Sequence, residues 1–246
     1  MRIFLLVYRL LRVALHLAIG MATCGLLFPR LAMDERNRRI QRWSRQLLGI
    51  CAITLEHNGA AALENAVVVA NHVSWLDIFV INALYPCRFV AKAEIRDWPI
   101  MGWLAGKAGT VFIARGNRRD LRHIFKGLVQ HLQAGERVAF FPEGTSALQG
   151  QLLPFHANLF EAALDARVPV QALALSYLDA SGKAHGAVDF VGDISFVDSM
   201  LAILGGTAIT ARVLCLPPMS SEGAHRRDLA AQANVAVAQA LGIHPQ

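Results

Sequence analysis

Short apolar runs, each ended by glycine, proline or a polar residue, constrain the fold of this chain more than any other feature. Clear examples are residues 66–70 (AVVVA), 110–114 (TVFIA) and 138–141 (VAFF). Apolar runs of this length between turn signals are typical of strands buried in a sheet. In the segments between them, apolar residues recur at helical spacing. This alternation predicts an α/β fold: a single domain with a mixed, largely parallel sheet flanked by helices.

The predicted elements continue this alternation along the chain. Strands are predicted at 52–56, 66–70, 89–91, 110–114, 138–141, 170–177 and 211–216. Helices are predicted at 34–50, from NHVSWLD to about 84, and at 101–108, 119–134, 158–166 and 224–241. No repeat or low-complexity linker divides them. We therefore expect one α/β domain over residues 51–246, preceded by an N-terminal region over residues 1–50.

The N-terminal region is apolar and rich in arginine, which predicts a membrane anchor of one helix or a helix pair. Residues 1–50 hold nine Arg, no Lys and two acids, so the rest of the chain, with a total of +6, is close to neutral. The longest uncharged run, 13–29, is near the lower limit for crossing a ~30 Å hydrocarbon core. Arginines on both sides favour a helix lying in the cytoplasmic leaflet. A single span and a cleaved leader remain open alternatives.

Composition narrows the class of protein. A mean hydropathy of +0.39 with 17% charged residues indicates contact with a lipid surface. The nearly neutral body does not favour a nucleic-acid partner. The four cysteines are scattered without a C-x-x-C pair, so we expect buried thiols, with neither disulfides nor a metal site.

The segment NHVSWLD, residues 71–77, follows the apolar run 66–70 and holds the first candidate site. Ser74 and Asp77 fit a capping box, which is a purely structural explanation. His72 is not explained in this way. Five residues of continuous helix would turn two side chains about 140° apart. His72 and Asp77 meet only if His72 lies in the turn and Asp77 in the first turn of the helix, which would make His72 a general base oriented by a carboxylate.

Two further segments end strands with a charged residue. They are GTVFIAR, ending at Arg115, and FPEGTS, which contains Glu143 and Gly144. Since the ends of parallel strands meet at one edge of a sheet, we expect these residues to share a crevice with His72.

These blocks together resemble those of the glycerolipid (lysophosphatidate-type) acyltransferase family. NHVSWLD has the form N-H-x-x-x-x-D, GTVFIAR the form G-x-[IV]-F-I-x-R and FPEGTS the form F-P-E-G-T, while VPVQALALSY (168–177) is similar to a fourth block. The similarity covers about residues 45–220. It implies His72 as base with Asp77 as its partner. It implies acceptor binding by Gly109, Arg115, Glu143, Gly144 and Thr145, with Lys92 as an added cation, and a position near the acyl donor for Val168, Pro169 and Val170.

The resemblance implies transfer of an acyl chain from acyl-CoA or acyl-carrier protein to a lysolipid hydroxyl, at the cytoplasmic face of the inner membrane and without a cofactor. The thioester is already activated, and no G-x-S-x-G motif is present. We expect backbone amides near the His72 turn to hold the oxyanion. The expected acceptor is 1-acyl-sn-glycerol-3-phosphate.

One departure keeps a second acceptor open. The third block of the family is usually followed by Arg, but here Ser146 and Ala147 follow it. A phosphate-free acceptor such as lyso-ornithine lipid is therefore the alternative. A lipid hydrolase using Ser74 and a non-catalytic lipid-binding protein are the alternatives from other classes.

Overall fold

The computed structural model describes residues 2–59, 63–113 and 118–243 of the 246-residue chain, except for the side chains of residues 2 and 118–123. Eight α-helices and seven strands are found in this part of the chain. The helices are α1 (Arg2–Ala22), α2 (Met33–Ile50), α3 (Leu76–Leu84), α4 (Met101–Lys107), α5 (Arg118–Gln133), α6 (Glu161–Ala166), α7 (Phe196–Gly205) and α8 (Arg226–Leu241). The strands are β1 (Ile53–His57), β2 (Val67–Ala70), β3 (Arg88–Lys92), β4 (Val111–Ile113), β5 (Val138–Phe140), β6 (Val170–Leu178) and β7 (Ile209–Cys215).

The strands form one sheet in the order β1-β7-β6-β2-β5-β3-β4. Only the pair β6–β7 is antiparallel, which confirms the predicted mixed, largely parallel sheet. The register aligns Val69 of β2 with Phe140 of β5 and Lys92 of β3 with Ile113 of β4. The carboxyl ends of these four strands therefore lie along one edge of the sheet.

Both faces of the sheet are covered, which explains why β2 is buried at all four positions. One face packs against α1, α2, α3 and α7, through residues such as Leu48, Leu76 and Ile203. The other face packs against α5, α6 and α8, through Leu132, Phe160 and Val237. Val13, Leu47 and Leu48 belong to the first of these cores, so the N-terminal helices pack on the α/β body.

Helix α1 buries one face and exposes the other, although most of its residues are apolar. His16 stacks on Trp43 of α2 at 4.4 Å, and each ring nitrogen bonds the other residue's backbone carbonyl. Ile3, Phe4, Leu11 and Leu15 face outward and are more than half exposed. The segment from Ile3 to Arg30 is long and apolar enough to cross a membrane. An N-terminal apolar helix of this kind is consistent with membrane association.

Two elements differ from the sequence expectation. Helix α7 was not predicted, because its ten mostly apolar residues show no distinct helical period, although Ser195 caps its start. The predicted helix at 158–166 instead starts as a 3-10 turn (Ala157–Phe160) before α6. The other predicted strands and helices are present, with ends shifted by one or two residues.

Candidate active site

Asn71 fixes the point at which the chain leaves the sheet. Its side chain is buried, donates to the carbonyl of Leu175 in β6 at 3.0 Å and accepts from the amide of Leu175 at 2.7 Å. The last backbone pair between β2 and β6 is Ala70 with Leu173. The Asn71 side chain continues this pairing one residue beyond it. His72 is therefore the first residue held just beyond the end of the strand.

His72 and Asp77 make the predicted contact. The distance between His72 Nδ1 and Asp77 Oδ2 is 2.7 Å, with Asp77 as the second residue of α3. The imidazole ring also stacks on Phe141 at 4.0 Å, which holds its plane. A carboxylate at Nδ1 favours a proton on that nitrogen and leaves Nε2 as the basic atom. Since the His72 side chain is 21% exposed and Asp77 is fully buried, only the histidine is open to a substrate.

Four donors surround the carboxylate of Asp77. Oδ2 also accepts from the backbone amides of Val73 at 2.8 Å and Ser74 at 3.0 Å. Oδ1 accepts from the hydroxyl of Tyr177 at 2.6 Å. Burial, and secondly the nearby Asp77 charge, raises the pKa of Tyr177 well above its ordinary value, so the phenol remains a neutral donor. Hydrogen bonds of this kind stabilise a buried carboxylate in its ionised form.

The predicted capping box is only half present. Helix α3 begins at Leu76 after Trp75, which makes no side-chain capping bond. The buried Ser74 hydroxyl has no hydrogen-bond partner within the described part of the chain, so the predicted cap by Ser74 is wrong. Asp77 binds the amides of Val73 and Ser74 instead, because its carboxylate folds back over the turn.

Glu143 connects the two loops that form the site. Its Oε1 accepts from the His72 amide at 2.7 Å, and its Oε2 accepts from the Leu153 amide at 2.8 Å. The side chain is 4% exposed, and burial raises its pKa above the ordinary value despite these two bonds. Both carboxylate oxygens are already bonded to backbone amides. The position of Glu143 therefore supports a structural connection between loops rather than direct contact with an acceptor.

The amides near His72 do not form the expected oxyanion site. Those of His72, Val73 and Ser74 are all bonded to carboxylates. Across the described residues, the amides of Thr145 and Ser146 make no hydrogen bond. The expectation that amides at the His72 turn hold the oxyanion is therefore wrong, because these amides donate to the carboxylates of Asp77 and Glu143.

A cleft of about 1580 Å³ opens at this edge of the sheet and includes His72. Lys92, Gly144 and Thr145 line it, so three of the predicted positions share the cleft with the histidine, together with Ser146. Its apolar wall comes from the N-terminal helices and the segment around α4, including Cys24, Phe28, Trp43, Met101 and Leu104. Arg115 lies outside the described residues. The cleft thus combines a polar edge, which includes Lys92, with an apolar wall.

Gly109 and the segment 168–170 do not line the cleft, although Ala108 and Thr110, on either side of Gly109, do. Gly109 lies just before the start of β4, and its carbonyl accepts from Arg88 at 3.0 Å. Val170 pairs with Val67 at the start of β2, and Val168 and Val170 are buried in the core on the α8 face. The buried positions of Val168 and Val170 do not support the role beside the acyl donor that the resemblance implies, while the acceptor-binding role of Gly109 stays a prediction.

Neither Ser74 nor the cleft-lining Cys87 is an activated nucleophile. Ser74 is fully buried and is not bonded to His72. Burial raises the pKa of Cys87 to about 12, so this thiol is protonated at neutral pH. Within residues 2–59, 63–113 and 118–243, no three His, Cys, Asp or Glu side chains are grouped to hold a metal ion. The geometry favours His72 acting on a substrate hydroxyl.

The sequence alone did not indicate three residues of the site. Asn71, Phe141 and Tyr177 all stand inside the motifs, but their side chains could be assigned only from contacts across the sheet. A tyrosine at the end of an otherwise apolar strand was the one available signal for Tyr177, since a buried phenol normally needs a partner.

A histidine oriented by a buried carboxylate, beside an apolar cleft, suits an enzyme that activates a hydroxyl on an apolar substrate. Comparison with known proteins gives the family. The family model described as Acyltransferase matches residues 53–176. The lyso-ornithine lipid O-acyltransferase of Pseudomonas aeruginosa is 38% identical over 92% of this chain and 88% of its own. The 1-acyl-sn-glycerol-3-phosphate acyltransferase of Neisseria meningitidis is 41% identical over 73% of this chain and 71% of its own.

The fold agrees with this relationship. The crystal structure of the 1-acyl-sn-glycerophosphate acyltransferase from Thermotoga maritima superposes with a TM-score of 0.69 at 17% identity, over 98% of this chain and 96% of that one. The chain therefore belongs to the glycerolipid acyltransferase family and is an O-acyltransferase.

Proposed function

We propose that this protein transfers a fatty acyl chain from a thioester, acyl-CoA or acyl-carrier protein, to the hydroxyl of a lysolipid at the cytoplasmic face of the inner membrane. The His72–Asp77 pair beside the cleft carries the proposal. The similarity to acyltransferases for lysophosphatidate and lyso-ornithine lipid supports the lysolipid acceptor.

The reaction begins with a proton transfer to His72. Nε2 removes the proton from the acceptor hydroxyl as its oxygen attacks the thioester carbonyl, and Asp77 stabilises the imidazolium at Nδ1. The tetrahedral intermediate collapses, the carbon–sulfur bond breaks, and the imidazolium returns the proton to the leaving thiolate. The unbonded amides of Thr145 and Ser146, which line the cleft, are the candidates for stabilising the oxyanion.

The first candidate acceptor is 1-acyl-sn-glycerol-3-phosphate. Lys92 lies in the cleft at the end of β3. A cation there suits a phosphate monoester, and the apolar wall suits the acyl chain.

A specific observation favours lyso-ornithine lipid as the second candidate. Ser146 stands where the family usually has Arg, and its hydroxyl donates to the carbonyl of Phe190. Both Lys92 and Glu94 line the cleft, which suits a headgroup carrying both charges. The lyso-ornithine lipid relative from Pseudomonas aeruginosa also aligns over 92% of this chain.

The packing of α1 supports a helix lying in one leaflet. It contacts α2 through His16 and α7 through Arg9, so one face is held by the protein along its length. A helix held in this way presents its other, apolar face sideways to lipid.

The test measures thiol release by the detergent-purified protein from acyl-CoA and from acyl-carrier protein, with lysophosphatidate and lyso-ornithine lipid in parallel. One acceptor should give acceptor-dependent release. His72→Ala should lower the rate by about 10²–10⁴-fold, the usual contribution of a general base. His57→Ala, an exposed histidine at the end of β1, is the matched control. More than about a tenth of the activity left in His72→Ala would contradict this mechanism, and inactivity with both acceptors would remove both substrate proposals.

A further inference from the structure

Helix α7 exposes apolar side chains although it packs firmly on the body. Ser199, Ile203 and Leu204 form its buried face. On the opposite side, Val197 is 55% exposed and Leu201 is 37% exposed, while Ile194 before the helix is 43% exposed. Residues 197 and 201 are four apart on a helix, so they lie on one face. The helix therefore presents a short apolar stripe to its surroundings.

The carboxyl end of α7 adjoins α1. The guanidinium of Arg9 donates to the carbonyl of Leu204 at 2.7 Å and to that of Gly206 at 3.3 Å. A side chain at Gly205 would meet Leu6 of α1 at 4.0 Å. Helix α1 itself exposes an apolar outer face, with Phe4 82% exposed and Leu11 66% exposed. The apolar stripe of α7 is thus next to the apolar face of α1.

The amino end of α7 adjoins the mouth of the cleft. Phe196 packs against Trp75 at 4.9 Å and against Trp98 at 5.9 Å, and the Trp75 indole donates to Ser199 at 3.1 Å. Phe196 and Trp98 both line the cleft. Trp98, Ile100 and Trp103 are each between 38% and 45% exposed. Helix α7 therefore connects the outer face of α1 with a second apolar segment at the entrance to the site.

We propose that α7 is a second membrane contact, in which Ile194, Val197 and Leu201 enter the same leaflet as α1 and hold the mouth of the cleft at the lipid surface. This inference rests on the membrane association proposed above. The occupant is a phospholipid bilayer, because the stripe continues the apolar face of α1 and borders a cleft that takes a lipid. Tryptophan at the cleft mouth suits the boundary between headgroups and acyl chains.

Insertion at α7 is shallow. Asp198 lies beside Val197, and its carboxylate accepts from the Ser195 hydroxyl at 2.6 Å at the start of the helix. The Asp198 carboxylate stays at the level of the lipid headgroups, while Leu201, one turn further along the helix, enters the leaflet more deeply.

The experiment compares the double variant Val197→Asp/Leu201→Asp with Val235→Asp, which replaces a 41% exposed valine on α8. Flotation with vesicles of phosphatidylcholine and phosphatidylglycerol measures the partition coefficient. The α7 variant should bind about tenfold less tightly, because charged side chains replace two inserted apolar ones, and the α8 control should bind as the wild type does. Unchanged partitioning of the α7 variant would overturn the inference.

A second pair of variants separates this inference from the membrane association itself. Leu11→Asp/Leu15→Asp alters the outer face of α1 alone. If the wild type fails to float, the proposed membrane association fails. If the α1 variant loses binding while the α7 variant keeps it, only the role of α7 fails.

Activity gives the final discrimination. With a short-chain acceptor below its micelle concentration, the α7 variant should keep kcat within about twofold, because the stripe is outside the reacting groups; with acceptor in vesicles its rate should fall about tenfold. An equal loss with both acceptors would place α7 in support of catalysis and overturn the inference. So would a lipid-free wild-type dimer that the α7 variant converts to monomer, since the stripe would then be a contact between copies.

Discussion

The hydroxyl of Tyr177 donates a 2.6 Å hydrogen bond to Oδ1 of Asp77, which lies 100 residues earlier in the chain. This bond joins the end of the longest strand to the residue that orients His72. Asp77 is fully buried, so each donor that it loses leaves part of a charge without a partner.

Tyr177→Phe should remove this donor with little change in shape. We expect unfolding to become easier by about 1.5–3 kcal/mol, the usual range for a hydrogen bond to a charged group. The carboxylate is then held less firmly and orients the His72 ring less well, so kcat should fall with little change in acceptor KM. Tyr8→Phe, at an exposed tyrosine of α1, is the control. A loss of stability with unchanged kcat would indicate packing alone.

Glu143→Gln should change how stability depends on pH. Burial raises the pKa of Glu143 above its ordinary 4.5, so the folded chain holds this proton more tightly than the unfolded chain does. Its contribution to the free energy of unfolding is therefore greatest below pH 4.5 and is lost as the pH rises through the raised pKa. Urea unfolding should show that the free energy of unfolding falls less with rising pH in the variant than in the wild type.

The same substitution should lower activity. A glutamine would present its NH₂ group to one of the two amides of His72 and Leu153, so one bond between the loops is lost. We expect a lower kcat with little change in acceptor KM, because Glu143 positions the histidine turn. A rise in KM alone would indicate direct binding of the acceptor by this carboxylate.

Gly109→Ala should destabilise the fold without weakening acceptor binding. Gly109 has a φ of +93°, and an added Cβ would lie 2.5 Å from Nη1 of Arg88. The same guanidinium binds Glu136 at 2.7 Å and would have to move. Gly135→Ala is a matched control, with a φ of +85° and no atom within 4 Å of the added carbon. In both variants the left-handed backbone should lower the free energy of unfolding by about 1–2 kcal/mol. In Gly109→Ala the contact with Arg88 should lower it further.

Acceptor KM decides between the two roles of Gly109. A structural role leaves KM unchanged in the active fraction of both variants. A KM raised in Gly109→Ala alone would support the role in acceptor binding that the resemblance implies.

Ser146→Arg should shift acceptor preference toward the phosphate monoester. The new cation would enter the cleft that Lys92 also lines and raise kcat/KM for lysophosphatidate relative to lyso-ornithine lipid by about tenfold, as expected for a charge-assisted contact. Ser146→Ala controls for the lost bond to Phe190. An equal change for both acceptors would exclude position 146 as a determinant of the headgroup.

Local patterns were sufficient to predict most of the fold. The run 66–70 has no polar residue, which is expected only for a strand covered on both faces, and β2 is buried at every position. The spacing of His72 and Asp77 implied that one lies before the helix and the other in its first turn, and the two side chains meet there. Helix α7 was not predicted, since ten residues of weak pattern give no distinct period.

The sequence by itself determined the sheet, the helices around it and the turn that holds His72, because the periodicity of apolar residues and the turn residues act over a few neighbours. Only the tertiary structure decided how the carboxylates are used. Glu143 and Asp77 bind backbone amides of the site, and Tyr177 reaches Asp77 across the sheet. A motif gives the identity of a polar residue, but a buried polar atom bonds whichever partner the packing brings within about 3 Å.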